Sequence, residues 1–324
     1  MKRFKNILYV NEPTVDQTAA VARAVSLAEN NQADMTMVDV IPTEVVTAGI
    51  GLPPGGPVSN DLLAFVESDR RKALESMVQQ FCKRLQIRLN VLVGKTYLEV
   101  IRAVLKNGYD LIIKPAENPS WTNRLFGSDD LHLLRKCPCP VWLMKSQEQS
   151  NYGSILAAVD FDLLAPSPSE NDFNREILEL AASLALSDFA SLHIVHAWEA
   201  LLEGVIGARR GVSPKGLADY VERVHEHHRK ELYRLAEKLP VWIGKEAYNY
   251  LSPGFHLPQG PAKMVIAPLA AELRTDLVVM GTIAHTGISG MVIGNTAETI
   301  LDQLTCSVLA IKPPGFKTPV KVDS

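Results

Sequence analysis

The chain reads as an α/β protein: two tandem, doubly wound, mainly parallel sheets of five strands each. Two observations predict this. The sequence carries an internal repeat of about half its 324 residues. Within each copy, short apolar runs that suit buried strands alternate with stretches of helical periodicity. The length itself suits two domains.

The first copy opens with Asn6 to Val10, an apolar strand running into Asn11-Glu12. The second opens with Ser154 to Val159, running into Asp160. Each strand therefore ends near an acid. A helix follows in both. Thr14-x-x-Gln17 has the form of a capping box, and Thr18, Val21, Val25 and Ala28 recur at helical spacing. Ile177, Leu180, Ala181 and Leu184 do the same in the second copy.

Second strands are predicted at Met35–Val40 and Leu192–Ala197, followed by loops at Gly49–Pro57 and Gly204–Gly216. Long helices come next. Leu74, Met77, Val78, Phe81, Cys82 and Leu85 form one stripe; Leu217, Val221, Val224, His228, Leu232, Leu235 and Leu239 form the other. Third strands lead to Gly94 and Gly260, and fourth strands begin after the turn acids Asp110 and Asp276. Their apolar runs suit parallel strands buried on both faces. The copies end alike, with Gly127…Cys139-Pro140-Val141…Lys145 aligning without a gap onto Gly294…Cys306-Ser307-Val308…Lys312.

The expected organisation is a first domain over 1–146, a linker over 147–152, a second domain over 153–313 and a tail over 314–324. The second copy carries extra length around Phe161–Asn174 and Pro240–Gly260.

Composition excludes several functions. The formal net charge of −3 is not that of a protein binding nucleic acid by phosphate neutralisation. The 4 cysteines suit a reducing cytosol better than a disulfide scaffold. No apolar stretch is long enough for a membrane span. The basic start, Met1 to Lys5, precedes an apolar run too short for a secretion signal, so it reads as a first strand.

In such sheets ligands sit at the carboxyl ends of the strands, where the strand order reverses. After the fourth strand of the second copy the chain reads Gly281-Thr282-Ile283-Ala284-His285-Thr286-Gly287-Ile288-Ser289-Gly290-Met291-Val292-Ile293-Gly294-Asn295-Thr296-Ala297-Glu298. A glycine-rich loop at a helix start can cradle phosphate on backbone N–H groups, and Asn295 or Thr296 would cap that helix. No Walker Lys-Ser/Thr follows, and a loop that only connects elements remains open.

This loop, Asp160, the Leu133–Trp142 stretch Leu-Leu-Arg-Lys-Cys-Pro-Cys-Pro-Val-Trp and the terminal Ala310-Ile311-Lys312-Pro313 together resemble the universal stress protein family in tandem form. The resemblance covers essentially the whole chain. It implies a flavodoxin-like fold, similar to adenine nucleotide hydrolases. It also implies pairing of the last strands through Val141–Lys145 and Val308–Lys312, an intramolecular pseudo-dimer that can pair again as a homodimer.

Nucleotide-binding members carry Gly-x2-Gly-x9-Gly-Ser/Thr here. Gly281 and Gly294 match; Ala284 replaces the second glycine and Asn295 the closing hydroxyl. Alanine adds a Cβ where the backbone approaches phosphate, although Gly287 and Gly290 supply freedom nearby. The resemblance implies an ATP site in the second copy, with Asp160 toward the ribose, the backbone near Ala197 toward the base, and Gly281, Ala284, Gly287, Gly294, Asn295 and Thr296 around the phosphates. In the first copy, Lys114 to Ser128 keeps only Gly127-Ser128 of the motif. Pro115 and Pro119 remove donors, Glu117 adds negative charge, and Glu12 replaces Asp, so this copy is not expected to bind ATP in that way.

Other candidates are read structurally. Cys137 and Cys139 suit the start of a strand rather than a metal, and the His225-Glu226-His227-His228 cluster suits a helix surface. His193 and His196 should point to opposite faces, with His196 close to the switch point. Arg209 and Arg210 sit in a loop able to fold over an anion. No catalytic residue and no metal site is assigned. The resemblance implies a cytoplasmic stress-response module, non-enzymatic or weakly nucleotide-binding, supporting survival under stress such as DNA damage. An ATP-dependent switch or weak ATPase in the second copy stays open. So does a carrier of an apolar ligand at Trp121, Leu125 and Phe126.

Overall fold

The computed structural model describes residues 4–43, 57–117, 129–145, 151–161, 168–200, 213–282 and 294–322. By its internal contacts the chain divides into two compact units. One holds Arg3–Asn151, Thr282–Gly294 and Thr305–Ser324; the other holds Tyr152–Gly281 and Asn295–Leu304.

The first unit runs β1 (Asn6–Val10), α1 (Thr18–Asn31), β2 (Asp34–Ile41), α2 (Pro57–Val78), β3 (Ile87–Val93), α3 (Thr96–Asn107), β4 (Leu111–Pro115), α4 (Asp129–Lys136) and β5 (Val141–Met144). Its strands lie in the order β3-β2-β1-β4-β5, all parallel. The last strand of the chain, β10 (Ser307–Ile311), adds to the free edge of β5 in antiparallel sense, with Val308 opposite Leu143 and Ala310 opposite Val141. This is the expected pairing of the two terminal strands. β4, β5 and β10 are buried at every position, so both faces of the sheet are covered there.

The second unit runs β6 (Ser154–Ala158), α5 (Pro168–Asp188), β7 (Ser191–Val195), α6 (Pro214–Ile243), α7 (Lys245–Leu251), β8 (Gly254–His256), α8 (Ala262–Glu272), β9 (Leu277–Gly281) and α9 (Asn295–Gln303). Its strands are parallel in the order β8-β7-β6-β9. In each unit the first strand has the second on one side and the fourth on the other. That reversal opens a crevice at the strand ends.

The turn acids perform the same task twice. Asp110 accepts from the backbone N–H groups of Lys5 at 2.7 Å and Asn6 at 3.0 Å. Asp276 accepts from Gly153 at 2.7 Å and Ser154 at 3.0 Å. Each carboxylate thereby fixes the first strand beside the fourth, using N–H groups that precede the ladder.

Some local expectations change. The capping box does not form: α1 starts at Thr18 with no side-chain cap, and the Thr14 hydroxyl donates to Glu12 instead. The stripe of α2 is buried at Leu74 and Val78, but Cys82 is exposed because the helix gives way to a 3-10 turn at Gln79–Phe81. α6 continues through Pro240 to Ile243, and α7 then accounts for part of the extra length of this copy. α9 begins at Asn295, so Asn295 and Thr296 are its first residues rather than residues ahead of it.

Candidate functional site

In the first unit, Glu12 lies two residues past the end of β1 and β4 carries Lys114, both at the crevice. Lys114 is wholly buried. Its ammonium donates to Asp130 at 2.8 Å, Glu12 at 3.0 Å, the Pro115 carbonyl at 3.2 Å and Glu117 at 3.5 Å. Asp130 lies in the first turn of α4, where the helix dipole favours a carboxylate. Its second oxygen accepts from the Glu117 N–H at 3.0 Å.

One cation thus faces three acids. Burial opposes ionisation of both Lys114 and Glu12, but the charges of Asp130, Glu12 and Glu117 outweigh it at Lys114, and the Lys114 charge with hydrogen bonds from Thr14 outweighs it at Glu12. Lys114 is held above the ordinary range and Glu12 below it. Glu117 is the acid left over: burial first, then the Asp130 charge, push it up to about 7.

The second unit uses its equivalent acid differently. Asp160 is exposed over 83% of its side chain. Its backbone is fixed by Asn174 of α5, which accepts from the Asp160 N–H at 3.2 Å and donates to the Asp160 carbonyl at 2.7 Å. Gln17 does the same for Glu12, accepting from its N–H at 3.3 Å and donating to its carbonyl at 3.2 Å. Both amides are buried. The repeat is therefore kept in chemistry where it is lost in spacing, five residues in one copy and fourteen in the other.

Beside Asp160 the rings form a sequence of contacts. Phe161 meets His196 at 4.6 Å, His196 meets His228 of α6 at 5.0 Å, and Trp198 meets His228 at 6.0 Å and His225 at 5.1 Å. His196 Nδ1 lies 3.3 Å from the Val159 carbonyl, which can only accept, so Nδ1 carries the proton. Its Nε2 then accepts from His228 Nδ1 at 2.8 Å. Burial drives both imidazoles down to about 4, so the pair is neutral near pH 7. His228 therefore turns its Nε2 lone pair away from the pair as an acceptor.

The predicted residues fall as follows. Asp160 and Ala197 each lie two residues past the ends of β6 and β7, and Gly281 ends β9, which pairs with β6. The residues flanking Ala197 bind the edge beside them, His196 N–H to the His256 carbonyl and Trp198 N–H to the Pro258 carbonyl. Gly281 has a packing reason of its own: a Cβ there would lie 2.6 Å from the Phe173 ring. The Gly294 N–H donates to the Thr282 carbonyl at 3.1 Å. Asn295 and Thr296 are exposed in the first turn of α9. Ala284 and Gly287 lie outside the described residues, as do Arg209, Arg210, Trp121, Leu125 and Phe126.

Cys137 and Cys139 are buried with their sulfurs 3.5 Å apart, sharing a face as their spacing predicts. His193 and His196 have separate partners, His256 and His228. The sequence reading missed Lys114 with Asp130, Gln17 and Asn174. A Lys-Pro closing a fourth strand opposite an acid closing the first was the available signal for the charge cluster. Asn174 had none, because the loop before it differs in length between the copies.

Among the described residues no helix is long and apolar enough to cross a membrane. The profile described as the universal stress protein family matches residues 3–145 and 151–312. Universal stress protein E of Escherichia coli K12 is 30% identical over 232 residues, covering 71% of this chain and 69% of its own. Universal stress protein E of Photorhabdus laumondii is 26% identical over 336 aligned positions, covering 99% of both chains. Among solved structures, a putative universal stress protein of Pseudomonas aeruginosa superposes with a TM-score of 0.64 at 26% identity, covering 96% of this chain and 94% of that one. One from Archaeoglobus fulgidus, at 15% identity and TM-score 0.59, shares the fold. With both halves matched and both crevices built on one plan, the chain belongs to the universal stress protein family and carries two of its domains in tandem.

Proposed function

We propose that the protein is a cytoplasmic, non-enzymatic stress-response module that supports survival under stress such as DNA damage, and that it binds ATP weakly at the strand ends of its second half. The observation that carries this reading is the contrast between Asp160 and Glu12. Asp160 presents an exposed carboxylate on a backbone that Asn174 holds in place, an arrangement able to accept from ribose hydroxyls. Glu12 is spent on Lys114, and an added phosphate in that crevice would meet Glu117 and Asp130. ATP therefore belongs to the second half alone. The loss of two motif positions at Ala284 and Asn295 accounts for weak affinity.

Native mass spectrometry of the chain purified without added ligand, followed by calorimetric titration with ATP and Mg²⁺, tests this. Binding that disappears in Asp160→Ala and persists in Glu12→Gln supports the reading. An empty protein with no ATP response, or a response that survives Asp160→Ala, overturns it.

A further inference from the structure

A second pair of histidines joins β7 to β8, at the edge of the second unit's sheet. β7 and β8 are parallel, with His193 opposite Gly254 and Val195 opposite His256. Residues two apart on a strand share a face, so His256 projects on the side of His193. Their facing atoms, His193 Nδ1 and His256 Nε2, are 3.1 Å apart. The rings are tilted by 51° with centroids 5.2 Å apart. Both side chains are half-buried, so solvent reaches the pair.

Gly254 makes the approach fit. A Cβ at this position would stand 3.0 Å from His193 Nδ1 and 3.4 Å from His256 Nε2. Such a side chain would crowd the space in front of both nitrogens.

We propose that His193 and His256 form a site for a divalent transition-metal ion of the imidazole-preferring class, with zinc as the reference ion and water completing its coordination. Two nitrogens bound to one ion at ordinary zinc–imidazole lengths, with an angle between right and tetrahedral, stand about 2.8–3.4 Å apart. The observed 3.1 Å lies within that range. Neutral imidazole is the ligand form, and burial lowers both groups from their ordinary value, so protons do not compete near neutral pH. Glu272, at the end of α8, is the negative charge that His256 feels, and it favours a cation there. When the ion binds, the N–H between the rings passes to the outer nitrogen of its own imidazole, and both inner lone pairs turn to the metal.

A second set of donors lies on α6, where the ligand atoms of Glu222, His225 and Glu226 are within 4.8 Å of one another. Glu226 is already paired with Arg229 at 2.7 Å and His225 lies against Trp198, so this set is the control.

The test is calorimetric titration of the full chain with Zn²⁺, after EDTA treatment and without a polyhistidine tag. The parent should bind at the pair, and His193→Gln and His256→Gln should each weaken binding by about tenfold or more. His225→Ala should bind as the parent does. Circular dichroism checks that the variants fold. If either histidine variant does not, Gly254→Ala should weaken binding in its place, and Cu²⁺ bound to the parent should show two nitrogen ligands by paramagnetic resonance. No binding by the parent, unchanged binding in folded histidine variants, or loss on His225→Ala alone overturns the proposal.

Discussion

Asn174 holds Asp160 by both of its backbone groups, at 3.2 Å and 2.7 Å, and is itself 2% exposed. A side chain in a helix thus sets the position of the acid that follows the first strand of its unit. Replacing it by alanine leaves a part-buried N–H and C=O without that partner. Asn174→Ala should lower stability by about 1–3 kcal/mol in denaturant titrations and weaken any ligand that depends on Asp160. Asp160→Ala, at an exposed side chain, should affect the ligand and leave the denaturation midpoint nearly unchanged.

Lys114 is the keystone of the first unit's crevice. Removing it leaves Glu12, Glu117 and Asp130 facing one another in a buried place. Lys114→Met should destabilise by about 3–5 kcal/mol, measured by urea unfolding at neutral pH. The triple variant that also carries Glu12→Gln and Asp130→Asn should recover much of that loss.

Glu117 gives the cluster a pH dependence of known sign. Its folded value is about 7 against an ordinary 4.5. Between these values the folded chain keeps a proton that the unfolded chain has released. Glu117 therefore costs stability progressively as pH rises through that window. Glu117→Gln should flatten this part of the stability–pH curve and be the more stable form above it. A variant that tracks the parent across the whole window contradicts the assignment.

Gly281 should not tolerate a side chain even in the absence of ligand. The Phe173 ring would lie 2.6 Å from an added Cβ, and Phe173 is buried. Gly281→Ala should cost about 1–3 kcal/mol in thermal or chemical unfolding. Phe173→Leu should be less damaging in the Gly281→Ala background than in the parent, which a double-mutant cycle reads directly.

The sequence by itself determined the repeat, the alternation of strand and helix and the turn acids Asp110 and Asp276; the pairing of the last strands was expected only from the family resemblance. The former are legible because burial imposes periodicity and because a turn acid stands beside the strand it serves. It also showed where the two copies differ, at Glu12 and Asp160 and in the loops after the fourth strands. Only the tertiary structure decided what those differences do. Lys114 reaches Asp130 sixteen residues away and Glu12 more than a hundred away, and His193 reaches His256 from the neighbouring strand. The same is true of Gln17, whose spacing from Thr14 spells a cap but whose amide serves Glu12. Side-chain partners that lie outside the helix and strand periods leave no periodic trace, because their meeting depends on how strands and connecting segments are placed in three dimensions.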